Sequence, residues 1–164
     1  MSTDTNYVVT VRAKNSGLRQ AAADLIELAS IAWYPEREDK KTMIRIKIFR
    51  NESNSRGCLE PPSLCEDAAR LFPGVDIDYE SENEHGDGGA DQWYADGMPP
   101  DDIPTAVAAH VLSRVTKDVK QLHERVEWLA PLEKWSKKNS VDSAVQKKIS
   151  KACRDSEVAA TKKR

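Results

Sequence analysis

Ile44, Ile46 and Ile48 alternate with Arg45 and Lys47, and this short run constrains the fold more than any other feature of the chain. A period of two buries every second side chain and wets the ones between, the pattern of a strand in a sheet covered on one face. Partner strands, and helices that cover the isoleucine face, must therefore come from the remainder of the sequence.

Two further segments carry the same period. Tyr7, Val9, Val11 and Ala13 alternate with Val8, Thr10 and Arg12, and Val75, Ile77 and Tyr79 alternate with Asp76, Asp78 and Glu80. The second has an all-acid outer side, which resists unwanted pairing. SENEHGDGGA, with three glycines and no apolar anchor, reads as a loop. A short strand over residues 92–95 then closes a hairpin. Asn15 or Ser16 caps a helix with Leu18, Ala22, Leu25, Ala29 and Ala32 on one side, stopped by Pro35 near Tyr34. Ser63 caps a shorter helix burying Leu64, Ala68 and Leu71, ended by Pro73 and Gly74. The expected order is β-α-β-α-β-β, and a right-handed crossover makes the first two strands parallel if they are neighbours.

After Asp102 the period changes. Ala108, Leu112, Val115, Val119, Leu122, Val126 and Leu129 are spaced by threes and fours, the seam of a coiled coil or helix pair. This predicts one long amphipathic helix over 104–130, ended by Pro131. Leu112, Val115, Val119, Leu122, Val126 and Leu129 are candidates for self-association as a homodimer, or for folding back onto the chain's own sheet and helices. Ser140 then caps a basic helix over 140–154 with Val141, Val145, Ile149 and Ala152 on one face, and the terminal KKR frays. With 164 residues, the chain has room for one domain with a real core, or for one domain and a helical appendage. The expected division is a disordered 1–6, an α+β sheet domain over 7–100 and a helical region over 101–164.

The stretch SLCEDAARLFPGVDIDYESENEHGDGGADQWYADG resembles the corresponding part of the YubB-type ferredoxin-like family of phage and plasmid proteins. The shared features are the helix Leu64 to Leu71, the Phe72-Pro73 turn, the acidic strand Val75 to Glu80, and Trp93-Tyr94 before Asp96-Gly97. In element order the likeness covers roughly residues 7–97. The paired Trp and Cys near that family's start are absent here. The resemblance implies a mobile-element origin and a small ferredoxin-like, split β-α-β sheet domain, and it brings no catalytic residues.

Charge is segregated along the chain. No Lys or Arg occurs from Leu71 to Ser113, while ten Lys and Arg after Pro131 stand against four acidic residues. Asp76, Asp78, Glu80, Glu82, Glu84, Asp87 and Asp91 are thus candidates for a partner-binding band that imitates a phosphate backbone. The alternative is the ordinary solvated side of an edge strand and its loop. Lys137, Lys138, Lys147, Lys148, Lys151 and Arg154 are candidates for nucleic-acid contact with salt-dependent affinity, or simply a solvated helix face; Trp128 and Trp135 border this tail without interleaving in it.

Signals for chemistry are sparse. Glu84, His85, Asp87 and Asp91 lack the alternating oxygen ligands of a calcium loop, and His110 and His123 lack the i, i+4 spacing of a zinc pair. Cys58, Cys65 and Cys153 sit at no metal-ligand spacing and read as free thiols. Cys153 is either activated by Lys151 and Arg154 or buried beside Ile149. No phosphate loop, nucleophile elbow or HExxH string occurs. The reading is a protein without catalytic, metal or cofactor residues. It carries no membrane span, because its longest apolar stretch falls well short of the roughly 20 residues required. MSTDTN has no secretory pattern, so a cytoplasmic location is expected. The expected function is protein-protein binding to a host complex, of the anti-CRISPR or antirestriction type, with a nucleic-acid-processing defence enzyme as partner. The alternative is a nucleic-acid-binding accessory protein that uses the basic helix.

Overall fold

The strand built on Ile44, Ile46 and Ile48 lies second from one edge of a five-stranded sheet in the computed structural model, which describes residues 4–51 and 60–163. The strands are β1 (Asp4–Arg12), β2 (Glu36–Asp39), β3 (Met43–Asn51), β4 (Asp76–Asn83) and β5 (Gly88–Trp93). They run in the order β2-β3-β1-β4-β5 with every neighbouring pair antiparallel. Across the middle of the sheet, Val9 stands beside Ile46 and Tyr79, and Val11 beside Ile44 and Ile77. One face is therefore continuously apolar, and Val9, Val11, Ile44, Ile46 and Ile77 have no exposed surface.

Five helices follow the same chain: α1 (Ser16–Ala29), α2 (Pro61–Leu71), α3 (Ile103–Asp118), α4 (Val126–Lys138) and α5 (Ser143–Lys163). The protein is α+β. The Asn15 side chain accepts the Leu18 N–H at 3.1 Å and starts α1. α1 packs on β1 and β3 from one side and on α3 and α4 from the other, and α2 covers β4 and β5. Leu18, Ala21, Ala22, Ala23, Leu25, Ile26, Leu28 and Ala29 are all buried, as expected of a helix sandwiched between layers. The core is one cluster running from the sheet through α1 and α2 to Val111, Val115, Trp128, Leu132 and Ile149. It crosses the expected boundary near residue 100 without a break.

Several expectations are corrected. The first strand and the isoleucine strand are antiparallel neighbours, because an additional strand, β2, receives the chain after α1 and hands it to β3 through a hairpin. β2 is Glu-Arg-Glu-Asp and shows no apolar alternation; Arg37 takes the inward position and is held by Asp24 of α1 at 2.6 Å. Most of the loop between the third and fourth expected strands is itself strand, since β4 runs to Asn83 and β5 begins at Gly88. A Cβ at Gly88 would collide with the Ser81 carbonyl oxygen, so the close approach of these two strands requires glycine there.

The single helix over 104–130 is also corrected. α3 stops at Asp118, where Val119 turns extended (φ −90°, ψ 96°). Arg125 then donates to the carbonyls of Val119 and Thr116, each at 2.8 Å, satisfying acceptors that the helix end leaves open. A short 3-10 turn, Leu122–Arg125, leads into α4, and Pro131 lies inside that helix instead of ending it. The last helix begins at Ser143 and runs through Lys163, past the expected end at 154 and into the tail expected to fray. Ser140 is left-handed (φ 55°) and does not cap it; Asp142 does, accepting the Ala144 N–H at 3.1 Å. β1 likewise reaches back to Asp4, inside the segment expected to be disordered. No described helix is long and apolar enough to cross a membrane.

Candidate partner-binding face

The described helices that touch the sheet lie against its apolar side, and no described helix packs on the other. Alternation carries every second residue of each strand onto that open face. β4 contributes Asp76, Asp78, Glu80 and Glu82; β3 contributes Arg45, Lys47 and Phe49; β2 contributes Glu36 and Glu38. Register aligns them in stripes. Glu36 lies beside Lys47 and Glu38 beside Arg45, β1 follows with Val8 and Thr10, and β4 then presents its carboxylates. Successive carboxylates on one side of a strand stand roughly 6.8 Å apart, twice the strand rise.

The four β4 carboxylates are not equivalent. Asp78 is paired with Arg12 at 2.7 Å, and Asp76 accepts the Gln92 side-chain amide at 2.7 Å. Glu80 and Glu82 are exposed and make no hydrogen bond or ion pair with any described residue. Of the remaining acidic candidates, Glu84 lies 3.6 Å from His85 in the β4-β5 turn. In that turn Asn83 accepts the N–H groups of His85 and Asp87. Asp91 falls in register with Tyr79, on the opposite side of the sheet. The structure thus brings four of the seven acidic candidates onto one face and separates the other three.

At the end of the sheet where β1 enters α1, an open cleft of about 670 Å³ is lined by Arg12, Lys14, Asn15, Thr42, Asp76 and Tyr94, among others. Tyr94 is 59% exposed and stands at the border of the open face. Cations and a carboxylate share this cleft, so it favours no single sign of ligand charge.

The seam candidates are divided. Val115, Val119 and Leu129 have no exposed surface, Leu112 packs against the core partly buried, Val126 is half-buried, and Leu122 is 41% exposed. They do not form one stripe, because the chain bends between α3 and α4. The basic candidates are on the outside of the outermost helical layer. Lys137, Lys138, Lys147, Lys148, Lys151 and Arg154 are all exposed, while Ile149, Cys153 and Ser156 face inward. Lys151 is paired with Asp155 at 3.1 Å.

The chemistry candidates resolve into structural contacts. His110 Nε2 lies 3.0 Å from Asp67 of α2, whose carboxylate also meets Arg114 at 3.3 Å. Cys153 is buried, and burial with the neighbouring Glu157 carboxylate pushes its thiol up to about 11, so of the two alternatives the buried thiol fits and the activated one does not. Cys65 is buried and likewise raised, and Cys58 lies outside the described residues. Among the described residues no three His, Cys, Asp or Glu side chains converge as metal ligands.

One polar cluster escaped the sequence reading. Arg37 bridges Asp24 at 2.6 Å, Asp39 at 2.8 Å and Glu27 at 3.3 Å. Burial raises the pKa of Asp24 and of Glu27 against the pull of Arg37, whereas the hydrogen bond from Arg37 lowers that of Asp39. Two acidic residues a turn apart on a largely apolar helix were the available signal. Compared with known proteins, the chain matches no family model, no curated protein and no solved structure.

Proposed function

We propose that this protein acts in the cytoplasm by binding another protein through the open face of its sheet, as a mobile-element inhibitor of a host nucleic-acid-processing defence complex. The observation that carries the reading is the row Asp76, Asp78, Glu80 and Glu82 on a face that no described helix covers. Their regular spacing of roughly 6.8 Å along one strand presents an ordered line of carboxylates to a groove shaped for the repeating phosphates of a nucleic-acid backbone. The flanking Arg45 and Lys47 stripe adds orientation, since like-charge contacts disfavour a reversed docking. The sheet itself we read as ferredoxin-like with a fifth strand added. Two interleaved units support this: β1-α1-β2 with β3 inserted, and β3-α2-β4 with β1 inserted.

The test is infection efficiency in bacteria with an active restriction or CRISPR system. Wild-type protein is expected to raise the efficiency, and a variant with Asp76→Lys, Asp78→Lys, Glu80→Lys and Glu82→Lys to return it to the empty-vector level. Equal effects of a folded variant and wild type would refute the reading. A second reading, nucleic-acid binding through α5, draws on the exposed Lys147, Lys148, Lys151 and Arg154. It requires a low-salt gel shift that disappears when these four residues are changed to Gln.

A further inference from the structure

We infer that the free edge of β5 is a strand-addition site for an extended segment of a partner protein carrying Lys or Arg at alternate positions. This rests on the docking reading above and specifies what docks.

The two edges of the sheet are built differently. β2 is four residues long and entirely charged, the usual means by which an edge repels a further strand. β5 is six residues, GGADQW, with no Lys, no Pro and one charge, and no described strand pairs beyond it. Asn83 N–H donates to the Asp87 carbonyl at 2.7 Å, which sets the phase of the ladder. Gly89, Asp91 and Trp93 therefore turn their backbone groups toward β4, and Ala90 and Gln92 turn theirs to the free edge. The Gln92 N–H is met at 2.8 Å by the carboxylate of Asp91, and an incoming carbonyl would take its place.

The open face explains the charge of the occupant. Register puts Ala90 beside Glu80 and Gly88 beside Glu82. Neither small residue stands in the way of a long cationic side chain on an added strand about 4.8 Å further out, which can reach across to the carboxylate. A second copy of the chain fits this edge poorly. Pairing β5 with its own copy would bring two acidic hairpins together, and neither hairpin holds a Lys or Arg.

The test uses isotope-labelled protein at low salt and two synthetic hexapeptides, one alternating Lys with Val and one alternating Glu with Val. The Lys peptide is expected to bind and to slow amide exchange at Ala90 and Gln92. Glu80→Gln with Glu82→Gln should weaken binding roughly fivefold, and Ala90→Pro should abolish it. Because proline can disturb the hairpin, Ala90→Lys is the second variant; it keeps the backbone, occupies Glu80 and should also weaken binding. Equal affinity for both peptides, unchanged exchange at Ala90 and Gln92, undiminished binding by Ala90→Lys, or a dimer already protected at those amides without peptide would each overturn the inference. If Asp76→Lys with Asp78→Lys abolishes the infection effect while Ala90→Lys leaves it intact, the docking reading stands and strand addition falls.

Discussion

Trp128 shows how a single side chain ties the layers together. It has no exposed surface, its Nε1 donates to the Ala29 carbonyl at the end of α1 at 3.2 Å, and its ring meets Trp33 edge-on at 6.4 Å. Arg50 stands 5.7 Å from the Trp33 ring centre, which extends the stack to the sheet. Trp128→Ala should cost about 3–5 kcal/mol, and Trp128→Phe about 1–3 kcal/mol because the Ala29 acceptor is left unpaired, both read from urea midpoints. In the sequence Trp128 was legible only as an aromatic bordering a basic tail; nothing local announces a partner 99 residues away. Cys153 was legible as one of two alternatives, and its setting decides between them. With the thiol pushed from 9.0 to about 11, the unfolded state loses its proton first, so stability should fall as pH rises from 9 to 11. Cys153→Ala should make the decline of the urea midpoint over that range shallower.

Elements whose own residues pay out the periodic signal were legible, and those held by distant polar contacts were not. β1, β3 and the first half of β4 announce themselves by alternation, and α1 by its cap and apolar side. β2 does not, because its inward residue is Arg37, made tolerable only by Asp24, Glu27 and Asp39. The break between α3 and α4 was equally hidden, since it depends on Arg125 reaching back to Thr116 and Val119. The acidic row on β4 was readable from spacing, whereas the bareness of its face depends on where five helices settle. Arg37→Ala tests the ion-pair contact between β2 and α1. Removing the cation leaves two partly buried carboxylates uncompensated, a loss of about 2–4 kcal/mol at neutral pH. Burial already raises the pKa of Asp24 and of Glu27 from their ordinary values, and without Arg37 they rise further. Acid neutralises them, so the penalty should shrink as pH falls through their range, visible as converging wild-type and variant urea midpoints.

At the scale of the molecule, the division into a sheet domain and a helical appendage meets a continuous core. α1 is buried on nearly every side, and α3 and α4, which lie beyond residue 100, pack against it. A fragment ending at residue 100 would expose that side of α1, together with Trp33, whose ring packs against Trp128. Apolar side chains are worth about 1.5–3 kcal/mol each when fully buried, and a domain's net stability is only about 5–15 kcal/mol. Losing the outer layer should therefore remove most of the margin. The expected outcome is that residues 1–100 expressed alone give a poorly dispersed amide spectrum, while the full chain unfolds in one calorimetric transition with equal van't Hoff and calorimetric enthalpies. Two separated transitions, or a well-dispersed spectrum for the fragment, would show that the sheet stands without its helical layer. In that case the open face and the basic helix would belong to units free to act apart.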